Sequence, residues 1–344
     1  RDNHCGCPFF IGEKEEIDMA LTKEQIKEFK KAEKEAQDSD DFREVAKNIA
    51  EAGDKEWAKK TYEIAEEKTD DPYELYYLAR CICENLGDKE WAKKTYEKVE
   101  EKAKDWSQFE SLANDICEKL GDKDWGKKLY KKAEGKTKYF YEINQVANSI
   151  HEKLGDKEWA IKLYQKAEKK AEGCSDLCSL ADSIHEKLGD KEWAIKLYQK
   201  AEKKAEDSSD LSSLASSIHE KLGDKEWAKR IYGKSEKKAK DFSDFRELAG
   251  SIYEYLDDKE KSIKLYQKAE KKAEDSSDLC NLADSIHEKL GDKDWAKKVY
   301  KKAEKKAKDS YDYESLAESL RDQLGDKKWA KLADQKAKEL EDDE

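Results

Sequence analysis

Proline is scarce in this chain of 344 residues, which contains only two. That scarcity argues against a loop-rich β protein, in which proline and glycine mark frequent turns. No run of eighteen or more apolar residues occurs, so the sequence predicts no membrane-spanning helix. Acidic residues outnumber basic ones, 82 to 70, and the net charge of −12 disfavours nucleic acid as a partner, because phosphate binding requires a basic surface.

Charged residues make up 44% of the chain and hydrophobic residues 37%. So low an apolar share argues against a single thick globular core. Nine tryptophans and 17 tyrosines are also unlike the composition of a disordered chain, which contains few aromatic residues. The composition therefore indicates an extended helical architecture.

A period of 34 residues runs through most of the chain, and nine repeats fill residues 39–344. Each repeat is marked by a Gly-Asp pair and by a tryptophan four residues after the glycine. In one repeat Asp257 replaces the glycine and Lys261 replaces the tryptophan. The glycines are Gly53, Gly87, Gly121, Gly155, Gly189, Gly223, Gly291 and Gly325.

Each repeat has the pattern of a helical hairpin. In the fifth, Leu177, Ala181 and Ile184 lie on one stripe of a helix. Gly189 then supplies a left-handed helix end, and Asp190 can cap the second helix. No single hairpin can bury its stripe, so neighbouring hairpins are expected to stack into an all-α superhelix.

The segment from Gly189 to Ala201 resembles the second half of a tetratricopeptide repeat, with Ala194, Tyr198 and Ala201 at its small, aromatic and small positions. One departure is that Leu180 lies nine residues before Gly189, where the family has eight. The resemblance implies an all-α, right-handed α-solenoid of about nine 34-residue helix-turn-helix repeats. For function it implies a non-catalytic scaffold that binds a protein or peptide in its groove.

Two segments precede the repeats. Residues 1–12 form an apolar, cysteine-rich N-terminal tail, and residues 13–38 contain a helix that resembles half a repeat and begins at a capping box, Thr22 to Gln25. The chain starts at Arg1, which favours a cleaved leader over a fragment. That processing and the eight cysteines favour an exported protein, periplasmic or extracellular, although the compartment is not fixed.

Three positions on each first helix, spaced i, i+4 and i+7, are expected to face the inner groove and bind the partner. Cys83, Cys117, Ser216, Gly250, Glu314, Glu318 and Arg321 complete these rows. The candidate partner-binding residues are Tyr76, Arg80, Glu110, Asn114, Asn144, Asn148, His151, Cys178, Asp182, His185, Ser212, His219, Arg246, Tyr253, Cys280, Asp284 and His287.

Two of these rows repeat the same thiol, carboxylate and imidazole, which are plausible ligands for zinc or a similar metal ion. The alternative is that each histidine is a half-exposed residue copied with its repeat. No oxyanion site or substrate pocket is signalled, so no enzyme is predicted and no cofactor other than this zinc-like metal. The two triplets are Cys178, Asp182, His185 and Cys280, Asp284, His287.

Two further expectations concern packing and covalent links. The tryptophans are expected to pack between repeats, the alternative being a lateral interface on the convex side. Cys174 and Cys178 could form a local disulfide if Cys174 lies in the turn. A second function is a self-assembling fibre or sheath subunit, in which copies of the chain join through the tail residues Cys5, Cys7, Phe9, Phe10 and Ile11.

Overall fold

The computed structural model describes residues 21–341. Within that range the chain forms nineteen α-helices and no β-strand, as the periodicity predicts. The tail residues predicted to mediate assembly lie outside the described residues. The helices are α1 (Lys23–Glu35), α2 (Ser39–Glu51), α3 (Lys55–Glu67), α4 (Pro72–Cys81), α5 (Lys89–Lys102), α6 (Trp106–Asp115), α7 (Lys123–Lys136), α8 (Phe140–Ser149), α9 (Lys157–Lys170), α10 (Cys174–Ser183), α11 (Lys191–Lys204), α12 (Ser208–Ser217), α13 (Lys225–Lys238), α14 (Phe242–Leu256), α15 (Lys259–Lys272), α16 (Ser276–Ser285), α17 (Lys293–Lys306), α18 (Ser310–Asp322) and α19 (Lys327–Glu341).

The helices pair as the repeat predicts. We call each even-numbered helix a first helix and the odd-numbered helix after it a second helix, and eight such pairs pack together: α2–α3, α4–α5, α6–α7, α10–α11, α12–α13, α14–α15, α16–α17 and α18–α19. Helix α1 precedes the pairs. It begins at the predicted capping box, in which the Gln25 N–H donates to Thr22 Oγ1 at 3.2 Å and the Thr22 N–H donates to Gln25 Oε1 at 3.0 Å.

The turn inside each hairpin follows the local chemistry of its sequence. Gly189 has φ +68°, a left-handed conformation that costs a glycine little. Asp190 then caps α11, because its carboxylate accepts the backbone N–H of Trp193 at 2.9 Å. Where no glycine is present, Asp257 adopts φ +55°, a conformation that aspartate tolerates better than most residues.

Six first helices end in a π-helical turn that the sequence reading missed. Ala181 lies eight residues before Gly189. In α2, which has no π-helical turn, the equivalent Ala46 lies only seven residues before Gly53. The extra residue is absorbed as a π-bulge in these six helices. Helices α14 and α18 have the longer spacing without such a turn. The π-helical turns are Ile82–Leu86, Ile116–Leu120, Ile150–Leu154, Ile184–Leu188, Ile218–Leu222 and Ile286–Leu290.

In eight of the nine hairpins the core surrounds a tyrosine of the second helix whose side chain is completely buried; in the last hairpin Asp334 stands at that position. Tyr198, for example, is packed with Ala194 and Ala201 of its own helix and with the buried stripe of α10. A buried tyrosine contributes a large apolar area but needs a partner for its hydroxyl group. The buried tyrosines are Tyr62, Tyr96, Tyr130, Tyr164, Tyr198, Tyr232, Tyr266 and Tyr300.

The chain divides into two units, each made of stacked hairpins. The described part of the N-terminal unit is residues 21–138 and 149–156, and that of the C-terminal unit is residues 139–148 and 157–341. Among residues 21–341, no helix combines the length and the apolar character needed to cross a bilayer.

An indole ladder joins successive second helices within each unit. The Nε1–H group of Trp227 donates to Glu202 on the preceding second helix at 3.2 Å, and Lys234 Nζ lies 2.6 Å from the same carboxylate. The Trp227 ring also packs edge-on against Tyr198, with centroids 6.3 Å apart. The prediction that the tryptophans pack between repeats is confirmed. The described rungs are Trp57–Glu33, Trp91–Glu66, Trp125–Glu100, Trp193–Glu168, Trp227–Glu202, Trp295–Glu270 and Trp329–Glu304.

Candidate partner-binding face

The candidate partner-binding residues are less accessible than the sequence predicts. None of the seventeen is fully exposed: thirteen are half-buried, and the remaining four are buried. Several of these side chains contact the second helix of their own repeat or the first helix of the next one. The buried four are Glu110, Cys178, Ser212 and Cys280.

In five repeats the middle position of the predicted rows bonds the buried tyrosine of its own repeat; in the repeat of α4 and α5 that position is Arg80, and Tyr96 donates to Asp115 of α6 at 3.0 Å instead. Asn148 Oδ1 accepts the Tyr164 hydroxyl hydrogen at 2.7 Å, and Asp182 accepts that of Tyr198. We call this the tyrosine-acceptor position; it lies sixteen residues before the tyrosine. It satisfies a hydroxyl group that would otherwise be buried without a partner. The described acceptor pairs are Asn114–Tyr130, Asn148–Tyr164, Asp182–Tyr198, Ser216–Tyr232 and Asp284–Tyr300.

The first position of the rows links neighbouring repeats. The Asn144 side-chain amide donates to Ser183 Oγ at 3.0 Å, and Arg246 Nη1 donates to Ser285 Oγ at 3.4 Å. In the N-terminal unit Ser149 donates to Glu110. The polar groups of Asn144, Arg246 and Glu110 therefore bond neighbouring repeats, whereas the sequence predicted that these groups bind a partner.

The structure does not bring the two Cys-Asp-His triplets together as metal sites. Burial raises the pKa of Asp182, whose carboxylate is half-buried and accepts from Tyr198. The Cys178 thiol contacts that of Cys174, with the two sulfur atoms 4.0 Å apart. Among residues 21–341, no three histidine, cysteine or acidic side chains form a group that could hold a metal ion.

The local disulfide predicted for Cys174 and Cys178 is not formed. Cys174 is the first residue of α10 and Cys178 lies one turn later, and both thiols are free. The shared hydrogen bond lowers the pKa of Cys174 and, together with burial, raises that of Cys178. The other described cysteines are also free: Cys81, Cys83, Cys117 and Cys280.

The large aromatic residues that are exposed were missed by the sequence reading. Tyr73 and Tyr77, one turn apart on α4, are 55% and 47% exposed. With Tyr76 and Pro72 they border a hollow of about 90 Å³ whose far side is formed by α6. The signal for them was present in the sequence, because Tyr77 directly follows the predicted groove residue Tyr76. The exposed tyrosines are Tyr73, Tyr77, Tyr139, Tyr141 and Tyr311.

A second, larger hollow lies in the C-terminal unit where α12, α14 and α16 meet. This pocket of about 380 Å³ opens over Gly250, which occupies the tyrosine-acceptor position of its repeat. Because glycine offers no acceptor, the hydroxyl group of Tyr266 has no hydrogen-bond partner. Four of the predicted positions do converge here, namely Ser212, Ser216, Arg246 and Gly250.

Of the comparisons with known proteins, the match to a family model agrees with the helical hairpins. The tetratricopeptide repeat model matches residues 244–273, which span parts of α14 and α15. A solved structure of the human IFIT1 dimer with PPP-AAAA is 16% identical and covers 92% of this chain and 78% of that chain, with a TM-score of 0.30. No curated protein matches the chain. The family model thus matches one hairpin, and the chain as a whole is a series of 34-residue helical hairpins that resemble tetratricopeptide repeats.

Proposed function

We propose that the chain is a non-catalytic scaffold that binds a partner polypeptide on the face formed by its first helices. Solenoids of this kind generally serve protein interactions, which makes protein the expected class of partner. The observation that carries the proposal is the position of the exposed aromatic residues.

Exposed tyrosines lie only on or directly before first helices in the described part of the chain. Second helices expose two large apolar side chains there, Ile64 at 38% and Leu332 at 63%, and neither is aromatic. Tyrosine is enriched at protein interfaces because its ring buries much area and its hydroxyl group can still bond. The asymmetry supports partner binding on the first-helix face.

The hollow on α4 is suited to anchor such a partner. Tyr76 and Tyr77 meet edge-on with their ring centroids 5.4 Å apart, and the Arg43 guanidinium lies 5.7 Å from the centre of the Tyr77 ring. These contacts hold the two tyrosine rings in place. Binding a partner therefore costs little further side-chain entropy at these residues. An apolar side chain of the partner would fill the space between α4 and α6.

The titratable groups of this face support a binding role over catalysis. Asp182 and Asp284 are each tied to a tyrosine hydroxyl group. Burial raises the pKa of the Cys280 thiol to about 12, which leaves little thiolate to act as a nucleophile at neutral pH. Each of these groups has a structural explanation that requires no substrate.

The proposal is tested by selecting linear peptides from a display library on the full chain and titrating the selected peptides. Tyr77→Ser is expected to weaken binding about ten-fold, the loss typical of an interface anchor. Ile64→Ser is the matched control, because it removes exposed apolar surface from a second helix. Equal affinity for the Tyr77→Ser chain and the unmodified chain, or no selected peptide, would contradict the proposal.

Self-assembly through residues 1–12 stays a prediction, because that segment lies outside the described residues. Metal binding in the groove also stays a prediction, and one that would require Cys178 and Asp182 to leave their present partners.

A further inference from the structure

At the pocket over Gly250 the tyrosine-acceptor position carries no side chain, so this repeat lacks the acceptor that five other repeats supply to their buried tyrosine. Tyr266 is completely buried, and its hydroxyl group has no partner. A Cβ atom added to Gly250 would lie 3.5 Å from that hydroxyl oxygen, in ordinary contact distance. Apart from the helix backbone and the two adjacent residues, no other heavy atom lies within 4 Å of that added Cβ, and Gly250 and Tyr266 both line the pocket.

A second donor beside this space is also unsatisfied. The Nε–H group of Arg246 is buried without a partner. The other nitrogens of its guanidinium make long contacts, Nη1 to Ser285 at 3.4 Å and Nη2 to Glu247 at 3.5 Å. A buried donor left unpaired costs free energy that an acceptor recovers. Two such donors in one pocket call for an acceptor atom from outside the chain.

The charge of the lining indicates which acceptor fits. Arg246 and Lys289 supply two positive charges, whereas Glu247, Glu254 and Glu288 supply three negative ones. Lys289 forms an ion pair with Glu254, with its Nζ 2.6 Å from the carboxylate. A carboxylate ligand would add a further negative charge to this lining. A neutral group that accepts through one atom and donates through another would add none, and it could also bond the glutamates.

The N-terminal unit shows how a neutral amide satisfies such surroundings. Asn114 accepts the Tyr130 hydroxyl hydrogen at 2.5 Å through its carbonyl oxygen, and its NH₂ group donates to Glu110 at 2.8 Å. Both halves of the carboxamide are used, one by a tyrosine and one by a glutamate. The pocket over Gly250 offers the same two kinds of group, Tyr266 and the nearby glutamates.

We propose that the pocket over Gly250 receives an asparagine or glutamine side chain of the bound polypeptide, whose carbonyl oxygen accepts from Tyr266 and Arg246. The ligand thus supplies the group that the repeat's own sequence omits. Its NH₂ group donates to the lining glutamates, Glu247 and Glu288. The site deepens the scaffold function proposed above and rests on it, since the side chain belongs to a polypeptide lying on the first-helix face.

The test uses capped pentapeptides of alanine with a central Asn, Gln, Asp or Ala, added to the full chain and followed by saturation-transfer NMR. We expect binding of the Asn and Gln peptides, with the Asp peptide weaker and the Ala peptide weakest. Gly250→Asn is expected to abolish that preference, because the new side chain fills the space and pairs with Tyr266. Gly233→Asn is the matched control: Gly233 lies in α13, and a Cβ there meets nothing within 4 Å.

A second variant keeps the test decisive if Gly250→Asn folds poorly. Tyr266→Phe removes one donor without filling the pocket, and it is expected to weaken the Asn peptide about five-fold, the value of one hydrogen bond. The inference is overturned if the Asp peptide binds as well as the Asn peptide, if Gly250→Asn and Gly233→Asn behave alike, or if no pentapeptide binds.

The two proposals fail separately. If Tyr77→Ser weakens selected peptides while Gly250→Asn changes neither their affinity nor their sequence preference, the scaffold stands and the pocket does not. If the pentapeptides show the Asn preference but no displayed peptide depends on Tyr77, the pocket stands as a binding site and the partner-binding role of the α4 hollow fails.

Discussion

Lys261 Nζ lies 3.2 Å from Glu236 Oε2, in the position where seven other repeats place a tryptophan indole on the preceding glutamate. The substitution of lysine for tryptophan therefore keeps the polar contact between repeats and gives up the aromatic one. In the sequence Lys261 looked only like a break in the pattern, because the glutamate it pairs with lies twenty-five residues away.

Lys261→Trp is expected to stabilise the chain by about 1 kcal/mol. The indole would keep a hydrogen bond to Glu236 and would pack edge-on against Tyr232, as Trp227 packs against Tyr198. It also buries more apolar area, whereas a partly exposed ion pair contributes about 1 kcal/mol or less. Urea denaturation at low and high salt measures the change. An equal or lower free energy of unfolding for the variant would contradict the prediction.

Replacing the buried tyrosine by phenylalanine is expected to cost more stability where the tyrosine-acceptor position holds an acceptor than where it does not. Tyr198→Phe leaves the half-buried Asp182 without its donor and is expected to cost about 1–2 kcal/mol. Tyr266→Phe is expected to change the free energy of unfolding by about 0.5 kcal/mol or less, because the Tyr266 hydroxyl group has no partner to lose. Denaturation of both variants compares them directly. Equal losses would show that the Tyr266 hydroxyl group is paired in solution.

The features that the sequence predicted are those governed by neighbouring residues. The left-handed glycines, the aspartate caps and the 34-residue period depend on contacts within a turn or two, and Gly189 and Asp190 behave as expected. Even the spacing of Leu180 signalled an extra residue. The sequence could not show that this extra residue forms a π-helical turn, because an inserted residue can also lengthen the helix, as in α14.

The candidate site was predicted less well, for a geometric reason. The i, i+4, i+7 rows correctly located Arg246 and Gly250 on one helix face. The rows could not show that the middle residue reaches back to a tyrosine sixteen positions later, a contact set by how two helices pack. From the sequence alone Gly250 is one more variable residue. Once the contact in the other repeats is known, Gly250 is seen to lack the side chain that would bond Tyr266, and it lines a pocket there.

The contact between Lys261 and Glu236 is expected to be sensitive to acid, because it depends on an ionised carboxylate. The hydrogen bond from Lys268, with that from Lys261, lowers the pKa of Glu236 below its ordinary value of 4.5. The ionised carboxylate therefore stabilises the fold above pH 4.5, and this contribution is lost as the pH falls through the lowered pKa. Between about pH 5 and pH 3 the native chain should lose more stability than Glu236→Gln. Parallel pH profiles of the two chains would contradict the prediction.

The thiols of the C-terminal unit are expected to react in an order set by burial and charge. Burial raises the pKa of Cys280 to about 12, and the hydrogen bond shared with Cys174, together with burial, raises that of Cys178. The half-buried Cys81, on α4 of the other unit, is the reference. A pKa three units above the ordinary value leaves about a thousand-fold less thiolate, and thiolate is the reactive form.

Alkylation of the native chain at pH 8, stopped at intervals and mapped by mass spectrometry, measures that order. Cys81 should be labelled first, and Cys178 and Cys280 only at the rate at which their hairpins open. In urea all three should react at similar rates, which serves as the control for intrinsic reactivity. A Cys174–Cys178 disulfide in the non-reduced digest would overturn the free-thiol arrangement, and rapid native labelling of Cys280 would show that α16 does not bury it.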